Sequence, residues 1–188
     1  MAPEGEEFPD LYTLHHRHYG LTEPLGASYA EAAAVCLSRH HEPPVPLQVF
    51  ADGGDHSVYQ VVWNPPSERQ GAAWANRDDA TRDGAYCVIL AAAEAHLGLV
   101  AIRRAETKTG ADYYVAPPDP SGSGGDPELN LEEAFRLEVS GIDHCESEIQ
   151  LRARVRQKVE QAQHGNSNLP AIAGVVAFSL LMIVFRNA

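Results

Sequence analysis

Residues 104–119 read RAETKTGADYYVAPPD, and residues 135–141 read FRLEVSG. Each stretch contains a short β-rich run, and each carries an acid: Asp112 at the edge of the first run, Glu138 in the middle of the second. A carboxylate inside an apolar run is costly unless something pairs with it. Two such positions in neighbouring runs therefore call for a partner, either a shared metal ion or an ion pair.

The surroundings extend this pattern in both directions. Residues 99–106, LVAIRRAE, form a third β-rich run, joined to the first by TKTG. Before it, ATRDGAYCVILAAAEAHLG (80–98) is apolar at helical spacing; Asp79 or a neighbour can cap it, and Gly98 ends it. DPSGSGGDPE (119–128) reads as a flexible polar loop. From Glu146 to Gln163, Ile149 or Leu151, then Val155, Val159 and Ala162, recur every three to four residues as an amphipathic helix. Its charges include the i to i+4 pairs Glu148 with Arg152 and Arg156 with Glu160.

The apolar run AIAGVVAFSLLMIVF, from Ala171 to Phe185, has fifteen residues, whereas a membrane-spanning helix needs about 20. Its Val and Ile content, Pro170 before it and Ser179 within it predict two buried strands with a tight connection; a short tail anchor is the alternative. In the first part of the chain, Ser28 and Glu31 form a capping-box pattern opening an Ala-rich helix. VPLQVF (45–50) and HSVYQVVW (56–63) flank ADGGD as a hairpin that ends at Pro65 and Pro66. The division expected is a helix-plus-hairpin extension over residues 1–76 and a core over residues 77–188.

Composition narrows the function. With 188 residues and 44% hydrophobic content, the chain can bury a core, and a net charge of −12 excludes coating of nucleic acid by bulk electrostatics. Cys36, Cys87 and Cys145 are widely spaced and lack a CxxC pair, as suits buried thiols in a reducing compartment. The acidic start, MAPEGEEFPD, has no secretory pattern, so a cytoplasmic location is expected and no membrane partner. His15, His16, His18, His40 and His41 are ligand types without supporting Cys or carboxylate spacing. Phosphate loops, GxSxG elbows and dinucleotide fingerprints do not occur.

From Asp79 onward the order is helix, strand, strand, strand, helix, strand, with one further strand allowed. With acids on the second and third strands, this resembles the core of the PD-(D/E)xK nuclease superfamily, the restriction-endonuclease-like fold: an α/β mixed sheet flanked by helices. The resemblance implies that Asp112 and Glu138 hold Mg²⁺, with the Val139 carbonyl completing the set. It also implies an acid from the first helix, for which Asp83 is preferred over Glu94. The motif lysine position is filled by Ser140. In some members the lysine comes from the following helix, where Arg154, Lys158 and Gln161 share a face, so Lys158 and Gln161 join Ser140 as the catalytic candidates.

The implied function is a Mg²⁺-dependent DNA phosphodiesterase in a bacterial cytoplasm, in defence or mobile-element biology, meeting DNA through a local basic helix face. The alternative is a catalytically inactive module of the same fold that binds protein partners or a second copy of itself. From the residues alone, Asp112 can equally cap the turn after Gly110, and Glu138 can pair with Arg103, Arg104 or Lys158 in a structural bridge.

Overall fold

The computed structural model describes residues 5–118 and 133–188; the predicted polar loop 119–128 lies outside them. The chain runs through strand β1 (Glu6–Glu7), a 3₁₀ segment (Leu11–His16), helix α1 (Glu23–Ser38), the hairpin β2 (Val45–Phe50) and β3 (His56–Val61), and helix α2 (Glu68–Ala73). Helix α3 (Arg77–Ala92) follows, with a wider last turn to Leu97, then β4 (Val100–Arg104), β5 (Tyr113–Ala116), β6 (Phe135–Ile142), α4 (Glu148–Gln163), β7 (Ala171–Ala177) and β8 (Met182–Asn187). The strands form one mixed sheet in the order β1-β3-β2-β8-β7-β6-β5-β4.

Strands β4, β5 and β6 pair antiparallel through their loops, whereas β6 and β7 run parallel. A parallel pair needs a crossover, and α4 supplies it. Every residue of β7 is buried, which is why its sequence shows no alternation. The apolar run 171–185 is thus β7, a tight connection and the start of β8 instead of one helix. Among the described residues no helix is long and apolar enough to cross a membrane.

Helices α1 and α3 cover one face of the sheet and α4 the other. Gly84 of α3 lets α1 approach closely: a Cβ there would lie 3.1 Å from the Ala33 backbone. Leu151 and Val155 of α4 pack on Val175 and Val184, while Ile149, one of two candidates for the buried stripe, is 77% exposed. Residues 5–76 contribute strands to the same sheet through the pairing of β2 with β8, and Leu11, Leu14 and Trp63 share one core with α3 and β7. The sheet and this core therefore run across the expected boundary between residues 76 and 77.

Helix ends follow local chemistry, with one correction. Asn76 caps α3 by accepting from the Asp78 and Asp79 amides, and Gly98 ends its last turn at φ 66°. α1 begins five residues before Ser28, behind Thr22 with Pro24 in its first turn. Glu31 is therefore interior, and it accepts from Gln70 Nε2 and Trp74 Nε1, both at 2.9 Å. The capping box belongs to Ser67 and Gln70 of α2. The outer edge of β4 is closed where Ala101 N donates to His18 Nδ1 and Ala101 O accepts from Gly20 N, both at 2.9 Å. That blunts an otherwise open edge.

Gly141 sets the α3–β6 distance. An added Cβ would lie 2.7 Å from the Thr81 carbonyl oxygen and 3.0 Å from Ala85 Cβ. Gly141→Ala is expected to destabilise the fold by about 1–3 kcal/mol, measured as a lower urea midpoint at unchanged slope.

Candidate functional site

Asp112 immediately precedes β5 and is held on both sides by backbone pairing: its N–H donates to Leu137 O at 2.8 Å, and its carbonyl accepts from Ala105 N at 3.0 Å. Its side chain is equally constrained. Oδ1 accepts from the Tyr86 hydroxyl at 2.7 Å, and Oδ2 accepts from Val139 N at 2.8 Å. Glu138 sits within β6, and the two-residue period that sends Leu137 and Val139 toward α3 turns it toward α4. There Lys158 Nζ donates to Glu138 Oε1 at 2.7 Å and to Gln161 Oε1 at 3.0 Å.

Asp112, Glu138, Ser140, Lys158 and Gln161 line one cleft of about 740 Å³, walled by the 105–111 loop and the start of α3. Asp83 is not among the lining residues. Its carboxylate accepts from Arg82 Nε at 2.8 Å, whereas Asp78, Arg82 and Tyr86, four residues apart along α3, face the cleft. One residue round a helix is a rotation of about 100°, and sequence alone did not fix that phase. Glu94, the second choice, is engaged at the other end of α3 by Arg17 at 2.6 Å and His18 at 3.1 Å.

Two residues that hold the site together have no counterpart in the motif. Arg136, 5% exposed, donates to the Thr109, Ala162 and Leu169 carbonyl oxygens, tying the 105–111 loop to the end of α4. Its cation also lies where the carbonyl ends of a helix favour positive charge. Gly110, at φ 68°, permits the close approach beside it: a Cβ there would lie 2.9 Å from Gly165 Cα. Tyr86 is the other residue missed, visible in sequence only as an aromatic on an apolar helix.

Burial raises the Glu138 pKa above the ordinary glutamate range, the nearby Asp112 charge raises it further, and Lys158 acts in the opposite direction. Two acids forced together against burial and mutual repulsion form a site that a cation relieves. Among the described residues, Lys158 is the cation on Glu138, and Asp112 has Arg104 at 3.9 Å. Among the described residues, no group of three or more His, Cys, Asp or Glu side chains is arranged to hold a metal. A divalent ion here would therefore rest on two carboxylates and keep several waters, a donor set that fits Mg²⁺.

Three of the clustered histidines have partners away from this cleft. His18 bridges Ala101 and Glu94, His40 Nε2 lies 3.3 Å from Asp143, and His41 Nε2 lies 2.8 Å from Phe178 O. The three cysteines are buried and unpaired, and burial pushes the Cys36 thiol up to about 12.

Removing Lys158 leaves a buried carboxylate without its cation. Lys158→Ala is expected to cost about 3–5 kcal/mol near neutral pH. Because the folded-state pKa of Glu138 lies above its unfolded value, the stability this carboxyl contributes is present at acid pH and lost as pH rises through the folded value. Urea denaturation should accordingly show a smaller deficit for Lys158→Ala in the acid range than at neutral pH, and Glu138→Gln added to it should recover most of the neutral-pH loss.

No protein-family model matches the chain, and neither the curated proteins nor the solved structures compared with it gave a match.

Proposed function

We propose that the protein is a Mg²⁺-dependent phosphodiesterase acting on DNA, built on a restriction-endonuclease-like core. The observation that carries this reading is the convergence of Asp112, Glu138, Lys158 and Gln161 in one open cleft from three separate elements. The order α3, β4, β5, β6, α4, β7, with the two acids at the start of the second strand and within the third of this series, supports it.

Asp112 and Glu138 would hold the ion, which when bound neutralises charge developing on a phosphodiester and lowers the pKa of a bound water. Hydrogen bonds from Tyr86 and Val139 fix the orientation of the Asp112 carboxylate before any ligand arrives. Ser140, at the position of the motif lysine, cannot supply an ammonium; Lys158 supplies it from α4, its Nζ held between Glu138 and Gln161. That ammonium can donate to a phosphate oxygen or hold an attacking water. The net charge of −12 restricts contact with DNA to the cleft and its rim.

The 2.7 Å bond between Lys158 and Glu138 also favours a second reading, a catalytically inactive module of the same fold in which the ion pair takes the place of the metal. Calorimetric titration with Mg²⁺ and Mn²⁺ separates the two. The phosphodiesterase reading expects saturable binding in the wild type and none in a folded Asp112→Asn, Glu138→Gln variant. It also expects DNA cleavage reduced on the order of 10²-fold by Lys158→Ala. Equal silence of both proteins toward metal overturns it in favour of the inactive module.

A further inference from the structure

We infer that Arg104 is the phosphate-binding residue of this cleft, docking an oxyanion of the DNA phosphodiester beside Asp112 and Glu138. This rests on the phosphodiesterase reading and adds a residue outside the motif that suggested it. Arg104 ends β4, lines the cleft and leaves 47% of its side chain exposed. A guanidinium in a close structural ion pair donates hydrogen bonds to its carboxylate; this one donates to tyrosine hydroxyls and stands off its carboxylate. Among the described residues, the carboxylate within 4 Å of it is Asp112, at 3.9 Å, and that acid already accepts from Tyr86 and Val139.

The group is held by tyrosines. Arg104 Nη1 donates to the Tyr29 hydroxyl and Nη2 to the Tyr86 hydroxyl, both at 3.0 Å. The guanidinium carbon lies 4.4 Å from the Tyr86 ring centre and 4.7 Å from that of Tyr113. Tyr29 and Tyr113 are buried, and their hydroxyls are 3.0 Å apart, so the frame is rigid. Hydroxyls and ring faces orient a guanidinium without neutralising it. These two bonds use two of five N–H donors, and the planar fork suits the paired oxygens of a phosphate. The same Tyr86 hydroxyl that accepts from Arg104 donates to Asp112, so the phosphate-binding group and the metal-binding acid share one support.

Lys108 and Arg82 also border the cleft, but Arg82 is engaged by Asp79 and Asp83. Among the described residues, Arg104 is the cleft cation held by hydroxyls and ring faces, with its nearest carboxylate 3.9 Å away.

The test separates phosphate binding from metal binding. In the Asp112→Asn, Glu138→Gln protein the cleft loses two negative charges, so an anion can enter without metal. Anisotropy of a fluorescein-labelled DNA single strand of about 12 nucleotides, a length suited to one binding site, would be followed in that protein and after adding Arg104→Gln or Arg104→Lys. The expected result is affinity weakened about tenfold or more by Arg104→Gln, with Arg104→Lys restoring little of it because an ammonium lacks the planar fork. In the otherwise wild-type chain, Arg104→Gln should retain Mg²⁺ and Mn²⁺ binding by calorimetry and a wild-type circular-dichroism spectrum. Strand binding unaffected by Arg104→Gln, or no strand binding by the parent, overturns the inference. Loss of metal binding in Arg104→Gln also overturns it, by showing that Arg104 acts through Asp112. Absence of metal binding in the wild type is a different result and overturns the phosphodiesterase reading itself.

Discussion

The parallel pairing of β6 with β7 is the constraint from which the site follows. A parallel neighbour cannot be reached by a tight turn, so the chain must leave the sheet, cross one face as α4 and return. That crossing lays Lys158 over Glu138 and closes the 2.7 Å contact between them. On the other face, Gly141 of β6 lets α3 sit close to the sheet, bringing Tyr86 to Asp112. A carboxylate at the start of β5 and another inside β6 thus receive their partners from opposite layers.

Charge is placed sparingly in this interior. Among the described residues no carboxylate pairs with buried Arg136; three backbone carbonyl oxygens accept from it, and in doing so it links the 105–111 loop, the end of α4 and the connection into β7. Arg104 is likewise held by hydroxyls and rings. Both cations are oriented by neutral groups, in an acidic protein where most arginines in contact with a partner meet an acid. At Arg136 that charge steadies a junction; at Arg104 it faces the cleft.

Much of the strand and helix order could be read from pattern because apolar periodicity depends on neighbours a few residues apart. The runs around Asp112 and Glu138, the crossover helix and the apolar run from Ala171 all became the elements their periodicity indicates. Local rules failed where a distant contact outweighed them. Ser28 and Glu31 match a capping box, yet Pro24 and Thr22 start the helix earlier, and Glu31 bonds Trp74 and Gln70. Asp83 was one helical step from the cleft-facing row, and only the packing of α3 on the sheet sets that phase.

The sequence by itself determined the element order, the presence of one acid at each of two adjacent strands, and Lys158 on the helix that follows, because these are matters of period and spacing along the chain. Only the tertiary structure decided that Lys158 reaches Glu138, that Tyr86 and not Asp83 meets Asp112, and that Arg104 stands in a tyrosine frame at the cleft. The partners involved are separated by 18 to 75 residues in the pairs Tyr86–Arg104 and Tyr29–Arg104. Contacts of that range depend on how layers pack, which no local pattern encodes.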